Sequence, residues 1–111
     1  MDYLKEKLKL LNHIQKNPKA TQRELMSELD ISLGKVNFLI KILVEKGIVK
    51  LEKFKNSRKK IAYLYLITPT GIKQKAEITK KFLEKELGEF DRLRGEIERL
   101  RTQVETANTD E

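Results

Sequence analysis

The segment Lys55-Asn56-Ser57-Arg58-Lys59-Lys60 places four cationic side chains in six positions. Ammonium and guanidinium groups gathered this closely suit a ligand that is itself a row of anions, such as a phosphate backbone. A second set lies upstream: Gly34, Asn37, Phe38 and Lys41 are three and four residues apart, so on a helix they share one face. The Asn37 carboxamide matches the donor and acceptor of an adenine edge and Phe38 matches the methyl of thymine. Lys41 supplies a cation, and Gly34 allows close backbone approach. An ordinary solvated face would also account for Asn37 and Lys41, and it is the basic segment nearby that favours DNA. Catalytic chemistry has little to draw on. With no cysteine in the chain, disulfides, thiolate metal sites and thiol redox switching are excluded. His13 is the one histidine, and it is read as a partly buried or surface side chain without a role. No enzyme, cofactor or metal site is expected.

These residues need elements to position them, and the few turn-forming residues mark the boundaries. Asp2 to Lys16 carries Leu4, Leu8, Leu11 and Ile14 at helical spacing and ends at Asn17-Pro18, since proline disfavours helical geometry in the residue before it. Thr21 and Glu24 have the spacing of a capping box, opening a second helix that buries Leu25 and Leu29. After Asp30-Ile31, Ser32 can cap a third helix whose apolar face is Val36, Leu39, Ile40 and Leu43, ending at Lys46-Gly47. The period then changes to two over Val49–Lys53, and Ile61–Ile67 is β-branched, aromatic and aliphatic, so two strands flank the basic segment as its hairpin tip. Tyr63 and Tyr65 share one strand face and are expected in the core, packed against the long helix, with base stacking the lesser alternative. Thr68-Pro69 reads as a cap and first helical residue. The helix it opens runs to about Thr106, roughly 38 residues or about 57 Å.

Three helices and a hairpin, with only two or three residues between the second and third helices, give the order of a winged helix-turn-helix. The fold class is mainly α with a small β-hairpin and a long C-terminal helix. Residues 1–68 form the winged part, 69–106 a dimerisation helix and 107–111 a frayed tail. Charge separates the parts: residues 1–68 hold 15 Lys and Arg against 7 Asp and Glu, whereas 69–111 hold 9 against 10. The anion contact and the long-helix contact are thus different surfaces. On the first, Thr21, Gln22, Ser32, Gly34, Lys35, Asn37, Phe38 and Lys41 are expected at double-stranded DNA, together with Lys55, Asn56, Ser57, Arg58, Lys59 and Lys60 of the wing. Phe38 and Ile42 are equally compatible with packing under the long helix.

On the second surface, Phe90, Leu93, Ile97, Leu100 and Val104 recur at three, four, three and four, a coiled-coil seam. With Phe90, Ile97 and Val104 at a, Glu89 and Glu96 fall at g and Arg94 and Arg101 at e. Parallel pairing then sets Glu89 against Arg94 and Glu96 against Arg101, whereas antiparallel pairing sets Arg against Arg. A parallel homodimer follows, with a pseudo-palindromic operator. Gly88 and Gly95 weaken the helix, so contacts of Ile72, Ala76 and Leu83 with the winged part would help it. The alternative is a winged module that tethers proteins or RNA. The N-terminus has neither a signal peptide nor a membrane span, and a cytoplasmic protein is expected.

The run Ser32-Leu33-Gly34-Lys35-Val36-Asn37, the phrase Glu45-Lys46-Gly47, the wing start Phe54-Lys55-Asn56-Ser57, and Leu66-Ile67-Thr68-Pro69-Thr70-Gly71-Ile72 together resemble the MarR-family EPS-associated transcriptional regulators. The resemblance covers nearly the whole chain, and its Gly-Lys-Val-Asn and Phe-Lys-Asn-Ser wording is its most specific part. It implies a prokaryotic winged-helix regulator, usually a homodimer, found with exopolysaccharide biosynthesis genes. Ser32, Gly34, Lys35, Asn37, Phe38 and Lys41 then fall on the recognition helix and Lys55 to Lys60 on the wing. Phe38 departs from the broader group, which often has a polar or basic residue nearby, and the chain is shorter than a typical member.

Overall fold

The computed structural model describes residues 3–109. The elements run α1 (Leu4–Lys16), α2 (Gln22–Leu29), α3 (Leu33–Glu45), β1 (Val49–Lys55), β2 (Ile61–Ile67) and α4 (Pro69–Thr109). This is the winged helix-turn-helix order, a three-helix cluster followed by an antiparallel hairpin. The capping residues act as their chemistry dictates. The Thr21 hydroxyl accepts from the Glu24 amide at 3.1 Å and the Ser32 hydroxyl from the Lys35 amide at 3.1 Å, each satisfying an amide the helix leaves unpaired. Gly47 ends α3 with φ of 71°, a conformation glycine adopts without steric cost.

Leu10, Leu11, Ile14, Leu25, Val36, Leu39 and Leu43 are fully buried and form the centre of the core, each contributing about 1.5–3 kcal/mol by leaving water. Leu10 lies outside the stripe read from the sequence, and Leu4 and Leu8 are only half-buried. The hairpin pairs Val49 with Ile67 at its root and Lys55 with Ile61 at its tip. Its root is tied to the helices by the Tyr65 amide, which donates to the Pro18 carbonyl at 2.9 Å. One face of β2 carries Ile61, Tyr63, Tyr65 and Ile67, and burial fades along it. Tyr65 is 4 % exposed, Tyr63 43 % and Ile61 66 %, because the hairpin outgrows the helices beneath it. The expectation of a core Tyr63 is therefore corrected, and that of Tyr65 holds.

Thr68 joins α4 to the turn between α3 and β1. Its hydroxyl donates to the Gly47 carbonyl and accepts from the Gly71 amide at 2.8 Å, while its own amide donates to the Ile48 carbonyl at 3.0 Å. Gly71 is buried against that carbonyl so closely that a Cβ would overlap it. The chain divides into two compact units inside α4, one ending at Thr79 and the other starting at Lys80. The first turns of α4 thus belong to the winged unit rather than to a separate domain starting at residue 69. There Ile78 packs against the core and Lys75 donates to the Gln15 side chain. Ile72, Ala76 and Leu83, expected to face the winged part, are exposed. Residues 107–109 continue the helix instead of fraying, and the rest of the expected tail lies outside the described residues.

Candidate nucleic-acid interface

Helix α3 buries Val36, Leu39, Ile40 and Leu43, and the periodicity that sends these inward sends Gly34, Asn37, Phe38 and Lys41 outward, where all four are exposed. Each flank of this face is fastened to a different element. On one side the Asn37 amide donates to the Gln22 side-chain oxygen at 3.4 Å, and the Gln22 amide donates to the Tyr65 hydroxyl at 3.5 Å. A chain of polar contacts thus runs from α3 across the start of α2 to the wing.

On the other side Phe38, 46 % exposed, meets the edge of the Tyr3 ring at a centroid distance of 5.8 Å. This corrects the alternative in which Phe38 packs under the long helix. Lys35 lies 5.0 Å above the same Tyr3 ring, and its ammonium is 3.9 Å from a Glu6 carboxylate oxygen. Lys35 is therefore a partly neutralised, half-buried cation, unlike the open contact read from the sequence.

At the wing tip, Asn56 organises the turn through its side-chain oxygen, which accepts from the Arg58 amide at 2.9 Å and the Lys60 amide at 3.1 Å. The Asn56 amide donates to the Lys60 carbonyl and the Lys59 amide to the Asn56 carbonyl. Lys59 takes a left-handed φ of 57° to close the turn. Lys55, at the end of β1, and Ser57, Arg58, Lys59 and Lys60 are all exposed. Among the described residues neither these wing cations nor Lys41 is held in an ion pair.

Between the start of α2 and the wing lies a groove of about 430 Å³ lined by Lys19, Thr21, Gln22, Lys60, Tyr63 and Tyr65. Thr21 is exposed at its edge, with its hydroxyl already engaged as the cap of α2. Lys19 was not singled out in the sequence, and Tyr63 was read there as a core residue. Lys19 is placed by its ammonium resting 5.6 Å from the centre of the Phe54 ring, a cross-element contact with no local signature. Tyr63 sits two residues before a core tyrosine and is separated from it only by how far the hairpin extends.

The exposed row on α4 is of another kind. Phe90, Leu93, Ile97, Leu100 and Val104 are 47–60 % exposed. The acids flanking them are bound along their own helix. Arg92 donates to Glu89 at 2.7 Å and to Glu96 at 3.1 Å, and its guanidinium is held more firmly protonated than usual, first by the hydrogen bond with Glu89 and then by that residue's charge. Among the described residues no group of His, Cys, Asp and Glu side chains has the arrangement to hold a metal ion, and no helix is long and apolar enough to cross a membrane.

Residues 7–50 match a protein family described as winged helix-turn-helix DNA-binding. Among solved structures the chain is similar to MepR, a transcription regulator of the Staphylococcus aureus multidrug efflux pump MepA. The identity is 19 %, over 95 % of this chain and 77 % of that one, with a TM-score of 0.54. It is similar to a MarR/EmrR family transcriptional regulator from Acinetobacter sp. ADP1, with 20 % identity, 90 % and 75 % coverage and a TM-score of 0.53. It is also similar to a transcriptional regulator homologue from Pyrococcus horikoshii OT3, with 22 % identity, 79 % and 97 % coverage and a TM-score of 0.52. No curated protein matches the sequence. The chain has the winged helix-turn-helix fold of these regulators.

Proposed function

We propose that this protein is a transcriptional regulator that binds double-stranded DNA as a homodimer, with α3 in the major groove and the wing on the backbone or minor groove. The observation that carries this reading is the state of the cations. Lys41, Arg58, Lys59 and Lys60 stand exposed and, among the described residues, out of ion pairs, in the same unit as an outward α3 face that offers Asn37 and Gly34. A fold that wanted these charges only for solubility would have no reason to fix Asn37 through Gln22. Lys19 and Tyr63, lining the groove beside Gln22, extend the contact surface toward one backbone strand.

The exposed seam on α4 supports pairing of two copies, and two copies related by a twofold axis read a pseudo-palindromic operator with half-sites about 34–36 Å apart. Regulation of exopolysaccharide biosynthesis genes rests on the Gly-Lys-Val-Asn and Phe-Lys-Asn-Ser wording shared with the EPS-associated group. A cytoplasmic location follows from the same role.

Gel-shift titration against duplex DNA at several salt concentrations tests the reading. Binding that weakens linearly in log–log form as phosphate counterions are retained is the expected result. Flat, salt-insensitive or absent binding would favour a module that tethers protein or RNA. Fragments selected by the purified protein from random DNA should converge on a site with two related halves.

A further inference from the structure

The apolar row on the outer part of α4 extends upstream of the stripe that periodicity alone delimits. Leu83 precedes Phe90 by seven residues, as Phe90 precedes Ile97 and Ile97 precedes Val104, and all four are about half exposed or more. Sevenfold spacing puts them at one heptad position, a. The same register places Phe82 at g, Glu86 at d, Leu87 at e, and both Gly88 and Gly95 at f, the position farthest from a partner.

We propose that the seam between two parallel copies of this chain begins at Phe82 and Leu83, and that Glu86 forms a carboxylate layer inside it that limits its strength. This rests on the homodimer reading above. In a parallel pair each g position faces the e position five residues on in the other copy. Phe82 then meets Leu87, Glu89 meets Arg94 and Glu96 meets Arg101, one apolar and two oppositely charged pairs in succession. Antiparallel pairing forfeits this, because e positions then face e positions and Arg94 and Arg101 are brought together. The acids are free to serve both partners. Arg92, at c and away from the seam, takes Oε2 of Glu89 and Oε2 of Glu96, leaving the other oxygen of each for an arginine across the pair.

Glu86 has no such help. The residues three and four positions away on its helix are Phe82, Leu83, Glu89 and Phe90, and none is a cation. Lys85, next in sequence, sits at c. Pairing therefore brings two Glu86 carboxylates to facing positions under an apolar flank, where desolvation and like-charge repulsion both weaken the pair.

The absence of native cysteine gives a direct test. Single Leu83→Cys, Ile97→Cys and Lys81→Cys chains are oxidised mildly and followed on non-reducing gels, with sedimentation equilibrium of Glu86→Leu and Glu86→Gln alongside. Leu83→Cys and Ile97→Cys are expected to cross-link to a second copy, because a positions approach within disulfide reach in a parallel pair, and Lys81→Cys, at f, is not. Glu86→Leu should lower the dimer dissociation constant by at least about tenfold, and Glu86→Gln, which removes the like charge but stays polar, should lower it by less. Cross-linking at Ile97→Cys without Leu83→Cys would leave the homodimer standing and overturn the early start. Unchanged or weaker association of Glu86→Leu would overturn the carboxylate layer. Failure of both cysteines would remove the parallel pairing on which the proposal rests.

Discussion

The unit ending at Thr79 and the unit beginning at Lys80 use opposite arrangements of the same residue types. In the first, most large aliphatic side chains of the helices are buried, and among the described residues Lys41 and the wing cations stand outward and out of ion pairs. In the second, two arginines are engaged along the helix, Arg92 with two glutamates and Arg101 with Glu98 at 3.6 Å, while seven large apolar side chains from Leu83 to Val104 are exposed. An element that leaves its apolar surface in water is stabilised by association, since the hydrophobic term is the largest it has left to gain. One that buries its core and leaves cations unpaired is already folded and offers chiefly electrostatic attraction. The two surfaces therefore answer to different variables, salt for the first and chain concentration for the second.

The sharpest way to break the first unit alone is Gly71→Ala. Its Cβ would overlap the Ile48 carbonyl, a backbone atom that cannot turn aside. The expected loss is about 3 kcal/mol or more, lowering the thermal midpoint by more than about 10 °C while the helical signal of the outer α4 persists in the dimer. An unchanged midpoint would mean that α4 does not dock at Ile48. The sharpest way to break the second unit is Leu93→Lys with Leu100→Lys. Lysine at two layers of the seam should raise the dimer dissociation constant by more than about a hundredfold and leave DNA binding by a single copy intact. If sedimentation shows the unmutated chain already to be a monomer, the seam reading fails.

Most of the winged unit was legible in the sequence because its signals are local. Thr21, Ser32 and Thr68 cap helices within three residues of themselves, Gly47 needs only its own φ, and the face of α3 follows from its period. What escaped was decided at a distance. Tyr63 and Tyr65 are the same residue type on the same strand face, and only the length of the hairpin relative to the core separates them. Phe38 fits either an outward or a packed position by its period alone, and its partner Tyr3 comes from before α1, where no pattern announces it. Gly71 was visible as a helix-start motif, yet its reason, an approach to the Ile48 backbone, lies 23 residues away in sequence. The start of the seam escaped for a different reason. Glu86 breaks the alternation of a and d, and only the exposure of Leu83 and Leu87 shows that the row continues past it.

The salt-dependent surface is sharpened by comparing Lys59→Ala with Asn37→Ala. Removing one phosphate contact should weaken binding roughly five- to tenfold near 0.15 M salt on operator and random DNA alike, and reduce the log–log salt slope by about 0.9. Asn37→Ala should leave that slope unchanged and erase preference at particular base pairs. Equal losses on both DNAs from Asn37→Ala would assign Asn37 to the backbone.

The smallest effect comes from Gly88 and Gly95, and it separates the two ways the outer helix can be stabilised. Both are helical, and a Cβ at either would meet nothing within 4 Å. Gly88→Ala and Gly95→Ala should each raise helix stability by about 1 kcal/mol, because alanine loses less backbone entropy on folding. At f, neither methyl reaches the seam, so the gain belongs to the helix and reaches association only if an unpaired outer helix is partly unfolded. Tighter dimerisation, approaching about twenty-five-fold per substitution because both copies carry it, read by sedimentation, would show that ordering of the helix and pairing of the copies are one event. A higher helical content at an unchanged dissociation constant would show that the helix is already formed before its partner arrives, and that the apolar seam alone sets the strength of the pair.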